Sequence, residues 1–99
     1  MGWANEYITR LQSGETVQFR PRGHSMRGKI ESGQLCTIVP PTDELQVGDI
    51  VLCKVSGRQY LHLIEAIQGD RYQIGNNRGR INGWVSRNGI YGKCVRVEN

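Results

Sequence analysis

Aromatic residues are scarce in this 99-residue chain, with one phenylalanine, two tryptophans and four tyrosines, and hydrophobic residues make up only 37%. That excludes a thick aromatic core and leaves room for one modest domain rich in turns. No apolar run approaches the length of a bilayer span, and the N-terminus carries no signal-peptide pattern. The three cysteines, Cys36, Cys53 and Cys94, are odd in number and have no CxxC spacing, which suits free thiols in a reducing cytoplasm better than a secreted disulfide scaffold. Each lies in a strand-like apolar run, as a buried free thiol would. The two histidines share no ligand spacing with the cysteines, so neither a metal nor an organic cofactor is indicated. Together these absences describe a soluble, cytoplasmic protein. The net charge of +4 is carried late, by Arg71, Arg78, Arg80, Arg87, Lys93 and Arg96. No aromatic ladder or compact basic helix accompanies it, so solvation of strand faces and loops is favoured over nucleic-acid binding.

Glycine, by contrast, is abundant at 13 residues, and it punctuates short apolar segments. Trp3, Ala4, Tyr7, Ile8 and Leu11 recur at helical spacing, and Gly14 supplies a stop, which predicts a helix over 3–12. So short a helix must dock on the body or on something else. Trp3 and Tyr7 make it the segment most suited to meet a protein partner or a second copy of the chain, although simple packing across an open barrel edge is the favoured reading. Strands are predicted over Thr16 to Arg20, Leu35 to Val39, Val47 to Val55, Gln59 to Ile67, Arg71 to Ile74 and Ile90 to Val97. Ser56-Gly57-Arg58 and Gly69-Asp70 supply turns, Pro40-Pro41 closes one strand, and a polar loop is predicted from Gly75 to Gly83. The pattern is one domain over 1–99, with the N-terminal helix in 1–14 and a β body in 15–99. The fold class is mostly β, a meander or partly closed barrel of short strands.

The chemistry concentrates in Gly23-His24-Ser25-Met26 and Tyr60-Leu61-His62-Leu63-Ile64. A serine hydroxyl needs a neighbouring base to become a nucleophile, and its attack needs donors aimed at the developing oxyanion. A glycine-led turn can supply backbone N–H groups, and Gly23 permits the unusual dihedrals such a turn requires. His24 is the weaker base, since side chains of adjacent extended residues point apart. His62 sits in an apolar strand, where imidazole is costly unless something polar meets it. Taken alone, a turn serine is commonly just a turn residue, and a strand histidine a satisfied structural group.

The surrounding order adds to this. A Gly-x-Ser-Met turn is followed by Ile30-Glu31-Ser32-Gly33-Gln34, Val47-Gly48-Asp49-Ile50-Val51, the His62 strand, Gly75-Asn76-Asn77 and Ile90-Tyr91-Gly92-Lys93-Cys94-Val95. In this order the chain, from about Val17 onward, resembles the superfamily of signal peptidases and self-cleaving LexA-like repressors. Its histidine is similar to the base of the endoplasmic-reticulum and archaeal signal peptidases. The resemblance implies a LexA/signal-peptidase-like barrel with Ser25 as nucleophile and His62 as general base. It further implies an oxyanion hole that uses the Ser25 N–H in a turn shaped by Gly23. Where the histidine type carries aspartates, this chain has Asn76 and Asn82, either of which could orient His62 without a full charge. Gln34 and Leu63 also depart from the pattern, and no Ala-Gly or Cys-Gly self-cleavage site precedes Ser25.

The implied activity is that of a minimal serine peptidase with a Ser25–His62 dyad, acting on an extended peptide or protein segment. The alternative is a catalytically impaired or inactive relative that binds peptide or protein in the same cleft. A nucleic-acid or regulatory role through the late arginines ranks third.

Overall fold

The computed structural model describes residues 2–41 and 44–99; Met1, Thr42 and Asp43 lie outside the described residues. One helix, α1 (Asn5–Gln12), precedes seven strands: β1 (Val17–Phe19), β2 (Leu35–Val39), β3 (Ile50–Val55), β4 (Arg58–Gln68), β5 (Arg71–Gly75), β6 (Ile81–Ser86) and β7 (Ile90–Glu98). They form a single antiparallel sheet in the order β1-β2-β7-β3-β4-β5-β6. The chain is therefore mostly β with one short helix.

Four of the six ladders contain a register shift, at Thr37/Ile38, Leu52/Cys53, Ile64/Ala66 and Ile74/Gly75. Each such bulge bends its strand and increases local twist. The bent sheet carries apolar side chains on both faces and builds two small cores. In one, Ala4, Ile8 and Leu11 of the helix side pack with Phe19, Ile38 and Leu52. In the other, Val51, Cys53 and Val55 of β3 meet Ile64, Ile74 and Val85, which brings β6 back over β3. The period-two alternation of β3 explains the division: Val51, Cys53 and Val55 face one core and Leu52 the other.

The helix is held from outside itself. It has no side-chain cap of its own. Instead Gln59 of β4 accepts the Ala4 N–H at its Oε1 (2.8 Å) and donates from Nε2 to Asn5 Oδ1 (2.6 Å). Trp3 Nε1 donates to the Gln59 carbonyl at 3.3 Å. The first turn of α1, whose N–H groups have no partner within the helix, is thus fixed to the strand that also carries His62. The apolar side of α1 lies on the protein's own sheet, with Ile8 and Leu11 buried.

Two sequence expectations differ from the structure. The loop expected from Gly75 to Gly83 is shorter, because 81–86 is a full strand paired with β5. Of its six residues only Val85 is buried, so the apolar alternation that marks a strand is missing. The strand expected from Val47 begins instead at Ile50, after a turn in which Asp49 Oδ2 accepts the Gln46 N–H at 2.8 Å and meets Lys93 Nζ at 3.5 Å. Among the described residues no helix is long and apolar enough to cross a membrane.

Candidate functional site

The turn that carries Ser25 is anchored by its apolar neighbours. Met26 and Ile30 are buried in the first core, while Ser25 itself is exposed. Backbone bonds from Arg27 N–H to the His24 carbonyl (3.2 Å) and from Ile30 N–H to the Met26 carbonyl (2.8 Å) close the turn. Gly23 enters it at φ +113°, a region L-residues rarely adopt, and its N–H donates to Ser32 Oγ at 3.1 Å. The Ser25 N–H has no hydrogen-bond partner among the described residues.

A second loop clamps the turn from the opposite side. Asn77 N–H donates to the Ser25 carbonyl at 2.9 Å, and Asn77 Nδ2 donates to the Arg27 carbonyl at 2.8 Å. That loop is itself shaped by Asn76, whose Oδ1 accepts the N–H groups of Arg78 (2.9 Å) and Arg80 (3.0 Å). Asn76 is thereby committed to its own loop.

His62 reaches the site from β4, where it is paired with Val51 of β3. Its ring is buried, at 7% exposure, and both nitrogens are occupied. Asn82 Oδ1 lies 2.7 Å from Nδ1, and Ser25 Oγ lies 3.2 Å from Nε2. An amide oxygen can only accept, so Nδ1 carries the ring proton and donates to Asn82. Nε2 is left with its lone pair and accepts from the Ser25 hydroxyl. Burial pushes the His62 pKa below its ordinary value of 6.5, and the Asn82 hydrogen bond opposes that shift. The neutral imidazole is therefore the favoured form at neutral pH.

The structure brings Ser25, His62 and Asn82 together, and it holds Asn76 and His24 apart from His62. His24 is exposed, and its carbonyl serves the turn. Tyr60 was not singled out by sequence. Its ring stacks on His62 with centroids 4.7 Å apart and planes 25° from parallel. The signal was available, because residues i and i+2 of a strand share a face.

No protein-family model matches the chain, and no curated protein matches it. The site's chemistry therefore stands on its own geometry.

Beside Ser25 and His62 a cleft of about 510 Å³ opens, walled by Trp3, Tyr7, Phe19, Met26 and Leu61. Its size falls in the range of ligand sites. Among the described residues no three His, Cys, Asp or Glu side chains group as a metal centre. Of the three thiols, Cys36 and Cys53 are buried and Cys94 is half-buried, all free.

Proposed function

We propose that the chain is a serine peptidase that cleaves an extended peptide or protein segment with a Ser25–His62 dyad oriented by Asn82. The carrying observation is the relay of two contacts through one imidazole, 3.2 Å to the serine oxygen and 2.7 Å to the amide oxygen. Ser25 Oγ attacks the peptide carbonyl while its proton passes to His62 Nε2. The oxyanion is met by the Ser25 N–H, which is otherwise unpaired. Collapse of that intermediate breaks the C–N bond as His62 returns the proton to the leaving amine. Water then hydrolyses the acyl-enzyme with His62 again as base.

The resemblance to signal peptidases and LexA-like repressors supports this reading, since their turn, strand and loop order corresponds to the elements that converge here. A LexA-like, partly closed barrel is the fold we assign on that basis. The substrate would lie extended along the edge of the sheet, where β1 has a neighbour on one side only.

A second reading, a relative that binds peptide without cleaving it, is favoured by one observation. The partner of Nδ1 is a neutral amide, which orients the ring without stabilising its charged form. The two readings separate when wild type, Ser25→Ala and His62→Ala are incubated with a diverse peptide library and new termini are read by mass spectrometry. Cleavage by wild type alone supports the peptidase. Absence of cleavage by the folded wild type rejects it.

A further inference from the structure

We propose that this cleft selects an extended peptide bearing a large apolar, preferably aromatic, side chain next to the bond presented to Ser25, with an acidic residue beside it. In this proposal Trp3, in the turn just before α1, sets the choice. The inference rests on the peptide-binding part of the reading above and goes further by naming the substrate class.

The wall of the cleft is an aromatic cluster assembled from two elements. Tyr7 and Phe19 lie with ring centroids 4.6 Å apart, and Trp3 meets Phe19 edge-on at 5.5 Å. Phe19 is buried beneath, so the surface left for another ring is that of Trp3 and the half-buried Tyr7. Trp3 remains 52% exposed although it belongs to this cluster, so much of its indole is left for an occupant. Met26 and Leu61 continue the apolar lining to the Ser25 turn and to the residue before His62. A small side chain would leave this surface wet; a large one would bury it.

Charge narrows the choice. Arg20, Arg22 and Glu31 also line the cleft. Arg20 Nη1 is occupied by the Gly33 carbonyl at 2.8 Å, and Glu31 Oε2 accepts the Gly28 N–H at 2.9 Å. Arg22 is exposed and makes no hydrogen bond or ion pair among the described residues. Its guanidinium is matched to a carboxylate on the substrate.

The wall is also fixed relative to the chemistry. Gln59 ties Trp3, Ala4 and Asn5 to the strand that presents His62 three residues later. The helix is therefore a wall of the site rather than a loose appendage.

The test uses the Ser25→Ala protein, which binds without turnover, and fluorescein-labelled octapeptides differing at one position (Phe, Leu, Ala or Ser), with or without a neighbouring Asp. Fluorescence polarisation should give Phe and Leu peptides roughly ten-fold tighter binding than Ala or Ser peptides. Trp3→Ala should bring that ratio close to one, and Arg22→Ala should remove the gain from Asp. Because Trp3→Ala could disturb α1, a second measurement avoids it. In the Ser25→Ala protein carrying Trp84→Phe, Trp3 is the sole tryptophan, and a nitrophenylalanine peptide should quench it. Equal or better binding of the Ala peptide, a ratio untouched by Trp3→Ala, or no quenching would overturn the proposal. So would absence of measurable binding by every peptide. Incubating the same peptides with wild type keeps the two ideas apart. Selective binding without cleavage rejects the peptidase and upholds the specificity; cleavage restricted to small residues does the reverse.

Discussion

Asn82 Oδ1 sits 2.7 Å from His62 Nδ1, and this contact decides which ring nitrogen carries the proton. An acceptor at Nδ1 turns the basic nitrogen, Nε2, toward Ser25. Aspartate in place of Asn82 would keep that tautomer and add a charge that stabilises the imidazolium formed during attack. Asn82→Asp is expected to raise kcat about ten-fold or more, and Asn82→Ala to lower it by a similar factor. Steady-state cleavage of the best library peptide measures both. A fall in kcat for a folded Asn82→Asp protein would contradict the assignment.

The pH profile follows from the same ring. Burial lowers the His62 pKa from its ordinary value of 6.5, and the base works only when neutral. The acid limb of kcat/KM should therefore have its midpoint below pH 6.5, with activity maintained as pH rises through neutrality. In Asn82→Asp the new carboxylate favours the charged ring, so that midpoint should move upward. Stability moves in the same sense. Below pH 6.5 the unfolded chain takes up the proton more readily than the buried ring, so His62 destabilises the fold as pH falls through that value. A wild-type acid limb centred above pH 7 would contradict the downward shift of His62.

Much of this arrangement was legible from residue patterns. Leu35–Val39 alternates and is flanked by Gly33 and Pro40, and its strand has those bounds. The pairing of Ser25 with His62 is an expectation of the resemblance rather than of local pattern, and the two side chains lie 3.2 Å apart. Less legible were features that long-range packing creates. Asn82 lies on a strand whose outer residues, Ile81 and Trp84, are exposed, so local pattern suggested a loop. The division of labour between the asparagines was equally hidden. Asn76 is drawn into bonds with Arg78 and Arg80, local contacts characteristic of a turn asparagine, and this leaves the orienting contact to Asn82. The cap that Gln59 provides to α1 spans more than fifty residues of sequence and has no local signature.

Gly92 tests how closely α1 is seated on β7. A Cβ there would lie 2.6 Å from Ile38 Cγ2, 2.9 Å from Leu11 Cδ1 and 2.9 Å from the Val39 carbonyl oxygen. The carbonyl belongs to the adjacent strand and cannot rotate away, so β2 and β7 must part locally while Leu11 of the helix also gives way. Gly92→Ala is expected to destabilise the fold by about 1–3 kcal/mol, as overpacking of a tight core does. For a domain of this size each kcal/mol corresponds to roughly 4–8 °C in Tm, readable by thermal denaturation followed by circular dichroism. An unchanged Tm would mean that strands and helix yield at little cost.

The thiols offer a prediction independent of any activity. Cys36 of β2 and Cys94 of β7 lie on paired strands close to a register shift, where each thiol acts on the ionisation of the other. The neighbouring Cys36 thiol, helped by a backbone contact at Arg96, favours the thiolate of Cys94 and lowers its pKa from the ordinary 9.0, against the opposing effect of burial. The Cys94 thiol, together with burial, pushes Cys36 upward, and burial alone raises Cys53 to about 12. The thiolate is the reactive form, so only Cys94 should be alkylated readily near neutrality. The rate of iodoacetamide labelling at Cys94, read by peptide mass spectrometry, should rise with pH to a plateau with its midpoint below the ordinary thiol value of 9.0. In Cys36→Ala the influence of the neighbouring thiol is lost while burial and the Arg96 backbone contact remain, so the midpoint should move upward. Labelling of Cys94 that follows the same curve in both proteins would show that the neighbouring thiol does not set its ionisation.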